Sequence, residues 1–86
     1  PARGDRFGAL TLDKPGATVL DRLHQAMLLF DAGRSEALRA FLVEDGAGRD
    51  ERFWRLADSL AALYPRGSDE RRCVEGVSAR KKSFGL

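Results

Sequence analysis

The side chains best suited to acid–base, thiol or metal chemistry are isolated in this sequence. His24 is the only histidine and Cys73 the only cysteine among 86 residues. A zinc site needs several His, Cys or carboxylate ligands at suitable spacing, and nucleophilic catalysis needs a nucleophile beside a base. We therefore expect a structural or hydrogen-bonding role for His24 and interior packing for Cys73, and we predict no catalytic residue, no cofactor and no metal site.

Two further patterns resemble ligand-binding loops but lack the required spacing. Gly46 and Gly48 are not followed by the Lys-Ser/Thr pair of a phosphate-binding loop, so they predict only a flexible connection. The neighbouring carboxylates do not have the spacing of a calcium loop, and we expect them to be helix caps and solvated surface groups. These carboxylates belong to Glu44, Asp45, Asp50 and Glu51.

Basic residues are the feature that could contact a ligand. The chain has 15 Lys and Arg against 13 Asp and Glu, a net charge of +2, which is too small to indicate nucleic acid by itself. If the basic groups share one surface, however, they could meet phosphates. No aromatic residue is interleaved with the basic residues of positions 71–82 to suggest base stacking. The predicted contact residues for DNA or a partner are Arg49, Arg52, Arg55, Arg72, Arg80, Lys81 and Lys82.

Length and composition indicate one small globular domain. The chain is 43% hydrophobic and 33% charged, as is usual for folded domains. A single cysteine excludes an internal disulfide and fits a reducing, cytoplasmic location. No apolar run approaches the ~20 residues that a membrane span needs, so we expect no membrane partner.

The chain is predicted to consist of an N-terminal arm followed by a helical domain. Residues 1–17 hold one apolar patch and a turn-forming sequence, and we expect them to form an extended arm or linker. Residues 18–86 show helical periodicity and form the predicted domain. Because the chain opens at Pro1 with small and charged residues, we expect it to be a fragment of a longer protein.

Two antiparallel helices open the predicted domain. Thr18, with Asp21 three residues later, predicts the capped start of a central helix. Gly33 predicts its end. Ser35 is the predicted cap of a shorter second helix that ends near Val43.

Two more helices complete the predicted domain. Asp50 caps the third, whose apolar stripe has Trp54 at its margin and stops at Pro65. Ser68 caps the fourth, which has acidic residues in its first turn, basic residues in its last and a thin apolar face. Gly76, inside the fourth helix, predicts close approach of another helix.

The predicted fold is an all-α, compact four-helix domain with short loops and an extended N-terminal arm. The last four residues are expected to fray unless Phe84 docks on the domain. The predicted core consists of Leu20, Leu23, Met27, Phe30, Leu38, Phe41, Leu42, Phe53, Leu56, Leu60, Leu63 and Val77.

The order of helices and turns resembles a known family, the C-terminal helical region of large bacterial adenine-specific DNA methylases. The resemblance extends from residue 18 to about residue 82. It consists of the run 18–30, then Gly33-Arg34, Glu36-Ala-Leu38, Phe53-Trp-Arg-Leu-Ala57, Leu60-Ala-Ala-Leu-Tyr-Pro65, Gly67-Ser68 and Glu70.

The resemblance implies a location and not a catalytic site. The family's chemistry resides in a methyl-donor pocket and an Asn/Asp-Pro-Pro-Tyr/Phe/Trp loop that grips a flipped-out base. Pro1, Pro15 and Pro65 are all isolated, so no functional residue can be carried over. We expect a non-catalytic accessory C-terminal domain of a DNA methylase, which docks DNA, another domain of the parent chain or a partner protein.

An alternative is a protein-interaction module without a DNA role. The small and large residues of the first two helices resemble a helical-hairpin repeat of the tetratricopeptide type, although no 34-residue period recurs. An enzyme would require His24 and Cys73 to converge in a cleft. Salt dependence separates the two leading hypotheses, because only phosphate contact predicts a steep loss of affinity with salt.

Overall fold

The computed structural model describes residues 18–86, which form four α-helices joined by short turns, with no β-strand in this range. The predicted all-α four-helix fold is confirmed, and the arm predicted for residues 1–17 lies outside the described residues. A π-helical turn extends α2, and a 3₁₀ turn precedes α3. The elements are α1 Val19–Asp31, α2 Ser35–Arg39, the π turn Ala40–Glu44, the 3₁₀ turn Ala47–Arg49, α3 Glu51–Leu63 and α4 Asp69–Ser83.

Three helices begin at the caps that the sequence predicted. The Thr18 hydroxyl accepts a hydrogen bond from the Asp21 amide at 3.1 Å, and the Asp21 carboxylate accepts one from the Thr18 amide at 2.9 Å. This reciprocal capping box satisfies amides that the helix itself leaves unpaired. Asp50 and Ser68 cap α3 and α4, each accepting a hydrogen bond from a backbone amide in the first turn.

The predicted cap of the second helix is wrong. Ser35 is the first residue inside α2, and Arg34 holds the cap position without a side-chain hydrogen bond. The cause is a tight turn at Gly33, whose φ of 71° lets the Arg34 amide donate to the Leu29 carbonyl at 3.0 Å. This turn closes α1 and starts α2 one residue earlier than the sequence predicted.

The second helical segment continues to Glu44, one residue beyond its predicted end. Its last turn is π-helical, with the Asp45 amide donating to the Ala40 carbonyl five residues earlier, at 2.9 Å. The predicted flexible connection after it is also wrong, because Ala47 and Gly48 are buried. Gly48 lies so close to Leu42 and Leu86 that no larger side chain has room there.

The core overlaps the predicted set only in part. Half of the predicted residues are fully or almost fully buried, namely Leu23, Met27, Leu38, Leu42, Phe53 and Val77. Phe30, Phe41, Leu56 and Leu60 are partly buried against them. Leu20 is 41% exposed and Leu63 76% exposed, so their assignment to the core is wrong. Both lie at helix ends, where fewer neighbouring residues cover a side chain.

The fourth helix packs within this domain, against α1 and α3. Its apolar residues Cys73, Val74 and Val77 are all fully buried. The close approach predicted at Gly76 is confirmed, because a Cβ there would collide with the Phe30 ring. Phe84 also packs on the core, which meets the condition for an ordered chain end. The apolar face of α4 is narrow, and it is sufficient for packing against α1 and α3 because the side chains opposite it approach closely.

Candidate nucleic-acid interface

Two of the seven predicted contact residues are neutralised on their own helix. Arg52 binds Asp50 through two hydrogen bonds, of 2.8 and 3.1 Å, and Arg55 pairs with Glu51 at 2.8 Å. The hydrogen bonds from Arg52 lower the pKa of the Asp50 carboxyl. Arg52 and Arg55 therefore have nearby anions that would compete with an external phosphate.

Arg72 is engaged in a contact between α4 and α1. Its guanidinium donates to the Asp31 carboxylate at 2.8 Å and lies 3.7 Å from Asp69. The Asp31 side chain is only 9% exposed, and the Cys73 thiol lies 3.7 Å from the same carboxylate. The hydrogen bond to Asp31 raises the pKa of Arg72. Arg72 thus holds two helices together, and the structure does not place it among available surface cations.

The other four predicted residues make no ion pair within residues 18–86. Arg80, Lys81 and Lys82 follow one another in the last turn of α4, and Arg49 ends the 3₁₀ turn before α3. We call these four residues the basic end of α4. Last-turn cations also interact favourably with the helix dipole, which stabilises the helix by about 0.3–1 kcal/mol each.

Two of these cations lie over aromatic rings. The Arg80 guanidinium is 5.3 Å from the centre of the Phe30 ring, and the Lys81 ammonium is 5.6 Å from the Trp54 ring. Cation–π contacts at exposed sites contribute about 0.5–1 kcal/mol. They restrict the side chains to defined positions, which lowers the entropy cost of binding an anion.

An open cleft of about 350 Å³ brings Arg49 and Lys81 to one place. Trp54 and the chain end at Leu86 form its apolar part, and Glu51 contributes a carboxylate. Arg49 is oriented by a hydrogen bond of 3.3 Å from its Nε to the Val43 carbonyl. The cleft therefore contains two cations beside one carboxylate, and that carboxylate is already paired with an arginine.

The tryptophan of this cleft is a structural side chain. Trp54 is 8% exposed, and its indole N–H donates to the Gly48 carbonyl at 2.7 Å. Its ring meets Phe53 edge-on, with the ring centres 4.8 Å apart. The sequence predicted that Trp54 lies at the margin of the apolar stripe, and its N–H finds a backbone partner within the protein. The ring is more deeply buried than a marginal position implies.

A second open pocket, of about 530 Å³, lies at the other end of α4. Arg66, Arg71 and Arg72 line it, but Arg71 pairs with Glu75 at 3.1 Å, and Arg72 is bound to Asp31. Arg66 was not predicted as a contact residue, because it stands in a turn without a basic neighbour. The carboxylates leave this pocket less electropositive than its arginines suggest.

His24 and Cys73 have surroundings that suit packing. Cys73 is fully buried, as expected for a free cysteine in a core. Burial lowers the pKa of His24, and the nearby Asp21 carboxylate partly offsets this effect. No group of three or more His, Cys, Asp or Glu residues in the described part of the chain could hold a metal ion.

The structure thus divides the seven predicted residues into two sets. Arg52, Arg55 and Arg72 are bound by carboxylates, whereas the four residues at the basic end of α4 have no carboxylate partner among residues 18–86. None of the helices described is long and apolar enough to cross a membrane. Comparison of the chain with protein-family models, curated proteins and solved structures found no match.

Proposed function

We propose that this chain is a non-catalytic accessory domain of a DNA methylase, and that it docks DNA through the basic end of α4. One observation carries the DNA contact: three consecutive last-turn cations, together with Arg49 before α3, have no carboxylate partner among residues 18–86. Cations without a carboxylate partner attract phosphates, because binding releases the counterions that the nucleic acid has condensed.

The methylase context is supported by the resemblance that begins at Thr18. It places the domain beside a catalytic region that must hold a duplex while a base is flipped out. A cytoplasmic location follows from a DNA partner. We expect the 86-residue chain to show no methyl transfer to DNA, and turnover by this chain alone would refute the accessory role.

A salt titration tests the DNA contact. We expect the chain to bind a fluorescently labelled duplex of about 16 base pairs, with an affinity that falls steeply as salt is raised. The domain measures 28 × 27 × 23 Å, so a duplex of this length is longer than its largest dimension. Binding that responds weakly to salt would contradict phosphate contact and favour a protein-interaction role.

The helical-hairpin alternative has less structural support. α2 has five α-helical residues and is followed by a π turn, so the first two helices are unequal in length and regularity. Repeat proteins of the hairpin type stack regular helix pairs to build a binding groove. The open groove beside α1 and α2 is lined by the apolar residues Leu29 and Phe41. It is also lined by the charged residues Arg22 and Asp45, so it is not a purely apolar groove.

A further inference from the structure

Resting on the proposed function, we infer that the basic end of α4 binds the phosphate backbone of duplex DNA and does not read its bases. The chemical class of ligand is therefore a phosphodiester in a double helix. The inference depends on three features of the described residues: which donors are present, how they are held, and whether an aromatic face is open.

The donors at the basic end of α4 are unsuited to recognition of base edges. Asn and Gln read adenine, and a freely presented Arg reads guanine, in each case through paired hydrogen bonds. The chain has no Asn and one Gln, which lies on α1. Both arginines of the basic end are held by the protein, Arg80 over Phe30 and Arg49 by the Val43 carbonyl.

The lysines suit phosphate instead. A lysine ammonium is a compact charge that needs no particular angle to a phosphate oxygen. Lys81 is exposed but remains over the Trp54 ring, and Lys82 is exposed beside it in the last turn. The positive charge of each lysine is available to a neighbouring phosphate.

Neither of the two aromatic rings that hold cations of the basic end, Trp54 and Phe30, has an open face to stack on a base. Proteins that prefer single strands combine cations with exposed aromatic rings on which the bases stack. Here the Trp54 ring is 8% exposed, its N–H is bonded within the protein, and Lys81 lies over it. Phe30 packs against Gly76 and carries Arg80. Preference for single-stranded DNA is therefore not expected.

Counterion release determines how steeply the affinity for DNA should fall as the salt concentration is raised. With at most four phosphate contacts, the slope of log affinity against log salt is about −3.6, so raising salt from 50 to 200 mM weakens binding roughly a hundredfold. This corresponds to weak, sequence-independent binding, for which dissociation constants of about 10⁻⁴–10⁻⁶ M at physiological salt are typical.

The experiment uses the 86-residue chain, two 16-base-pair duplexes of unrelated sequence and one of their single strands. The anisotropy of labelled DNA gives affinity, and the fluorescence of Trp54, the only tryptophan, reports stacking. We expect affinities for the two duplexes within about twofold, weaker binding of the single strand and little quenching. The double variant K81Q/K82Q should weaken duplex binding at least tenfold and reduce the slope by about 1.8.

The matched control is R34Q/R39Q, which removes two exposed arginines that make no ion pair within the described range. It lowers the net charge by the same amount as K81Q/K82Q but should weaken duplex binding less than threefold. The single variant K82Q leaves the Trp54 contact intact and should weaken binding severalfold, while it lowers the thermal unfolding temperature only by the small contribution of one last-turn cation to the helix dipole.

The outcomes separate this inference from the proposed function. Absence of binding to any of the DNAs overturns the proposed function and this inference with it. Quenching of Trp54 by the single strand, or a tenfold preference for one duplex, overturns only the inference. Equal losses in K81Q/K82Q and R34Q/R39Q would place the contact elsewhere and also overturn it.

Discussion

The two ends of α4 carry similar numbers of basic residues but use them differently. At the first end, Arg71 pairs with Glu75, and Arg72 pairs with Asp31 of α1. At the last end, Lys81 and Lys82 have no carboxylate partner within residues 18–86. The first end is held by hydrogen bonds and ion pairs, whereas the last end combines a stable helix terminus with unneutralised charge.

This difference shows that the number of cations on a surface is a poor guide to binding. A cation beside a carboxylate must give up that partner before it binds a phosphate, and the two gains nearly cancel at an exposed site. A cation over an aromatic ring keeps its full charge and loses less conformational freedom when it binds. The positions of the carboxylates therefore decide at which end of α4 the cations are available to bind a phosphate.

The largest expected effect lies between the two ends, where Gly76 meets Phe30. We expect Gly76→Ala to destabilise the domain by about 1–3 kcal/mol in urea unfolding, because the new Cβ would collide with the Phe30 ring. In a Phe30→Ala background the same change should be neutral or stabilising by up to about 1 kcal/mol, since alanine favours helix. Equal destabilisation in both backgrounds would contradict the proposed close approach.

Serine occurs at both ends of α4, as Ser68 and Ser83, and substitution of each provides the next comparison. Ser68→Ala should cost about 1 kcal/mol of unfolding free energy, because it removes the hydrogen bond that the Ser68 hydroxyl accepts from the Arg71 amide. Ser83→Ala should change it by no more than a few tenths, since that hydroxyl makes no hydrogen bond in the described part of the chain. Thermal unfolding of both variants measures the difference. Similar losses of unfolding free energy in the two variants would show that the Ser68 hydroxyl does not stabilise the start of α4.

A smaller effect is expected from the cations themselves. Arg72→Gln should lower stability by about 0.5–1 kcal/mol, because it leaves the nearly buried Asp31 carboxylate without one of its donors. Lys82→Gln should lower stability by only about 0.3 kcal/mol, the helix-dipole contribution of one exposed cation, and should mainly affect DNA affinity. Urea unfolding of both variants, compared with their duplex affinities, tests this division. A reversed pattern would mean that the two ends have been assigned the wrong roles.

Acidification should weaken the fold through the titration of His24. Burial lowers the pKa of His24 in the folded state, so the unfolded chain binds a proton first as pH falls. Stability is therefore constant above the ordinary histidine pKa of about 6.5 and declines as pH falls below that value toward the lower folded pKa.

His24→Gln removes this titration and is the appropriate control. Its unfolding free energy should depend less on pH between about 7 and 5 than that of the unchanged chain. A steeper dependence in His24→Gln than in the unchanged chain would contradict the direction of the His24 shift.

Some ion pairs of the candidate site could have been predicted from spacing alone. Arg55 follows Glu51 by four residues, and Arg71 precedes Glu75 by four, which places each pair on one helix face. The pair of Arg72 with Asp31 could not, because 41 residues separate them. Neither could the position of Lys81 over Trp54, since it depends on how α4 crosses the start of α3.

The sequence by itself determined the helices. Caps such as Thr18 and Ser68, and the start of α3 at Asp50, involve hydrogen bonds between residues only a few positions apart, so local chemistry was sufficient. The π turn and the buried Gly48 were decided only in the tertiary structure. Gly48, for example, packs against Leu86, which is remote in the chain.

The tertiary structure alone also decided which charges are neutralised. Charge is a property of each residue, and the sequence displays all of it. Neutralisation is a property of pairs, and for Arg72 the partner comes from a different helix. Electrostatic attraction falls with distance and with solvent screening, so only the folded arrangement shows that the basic end of α4 keeps its charge.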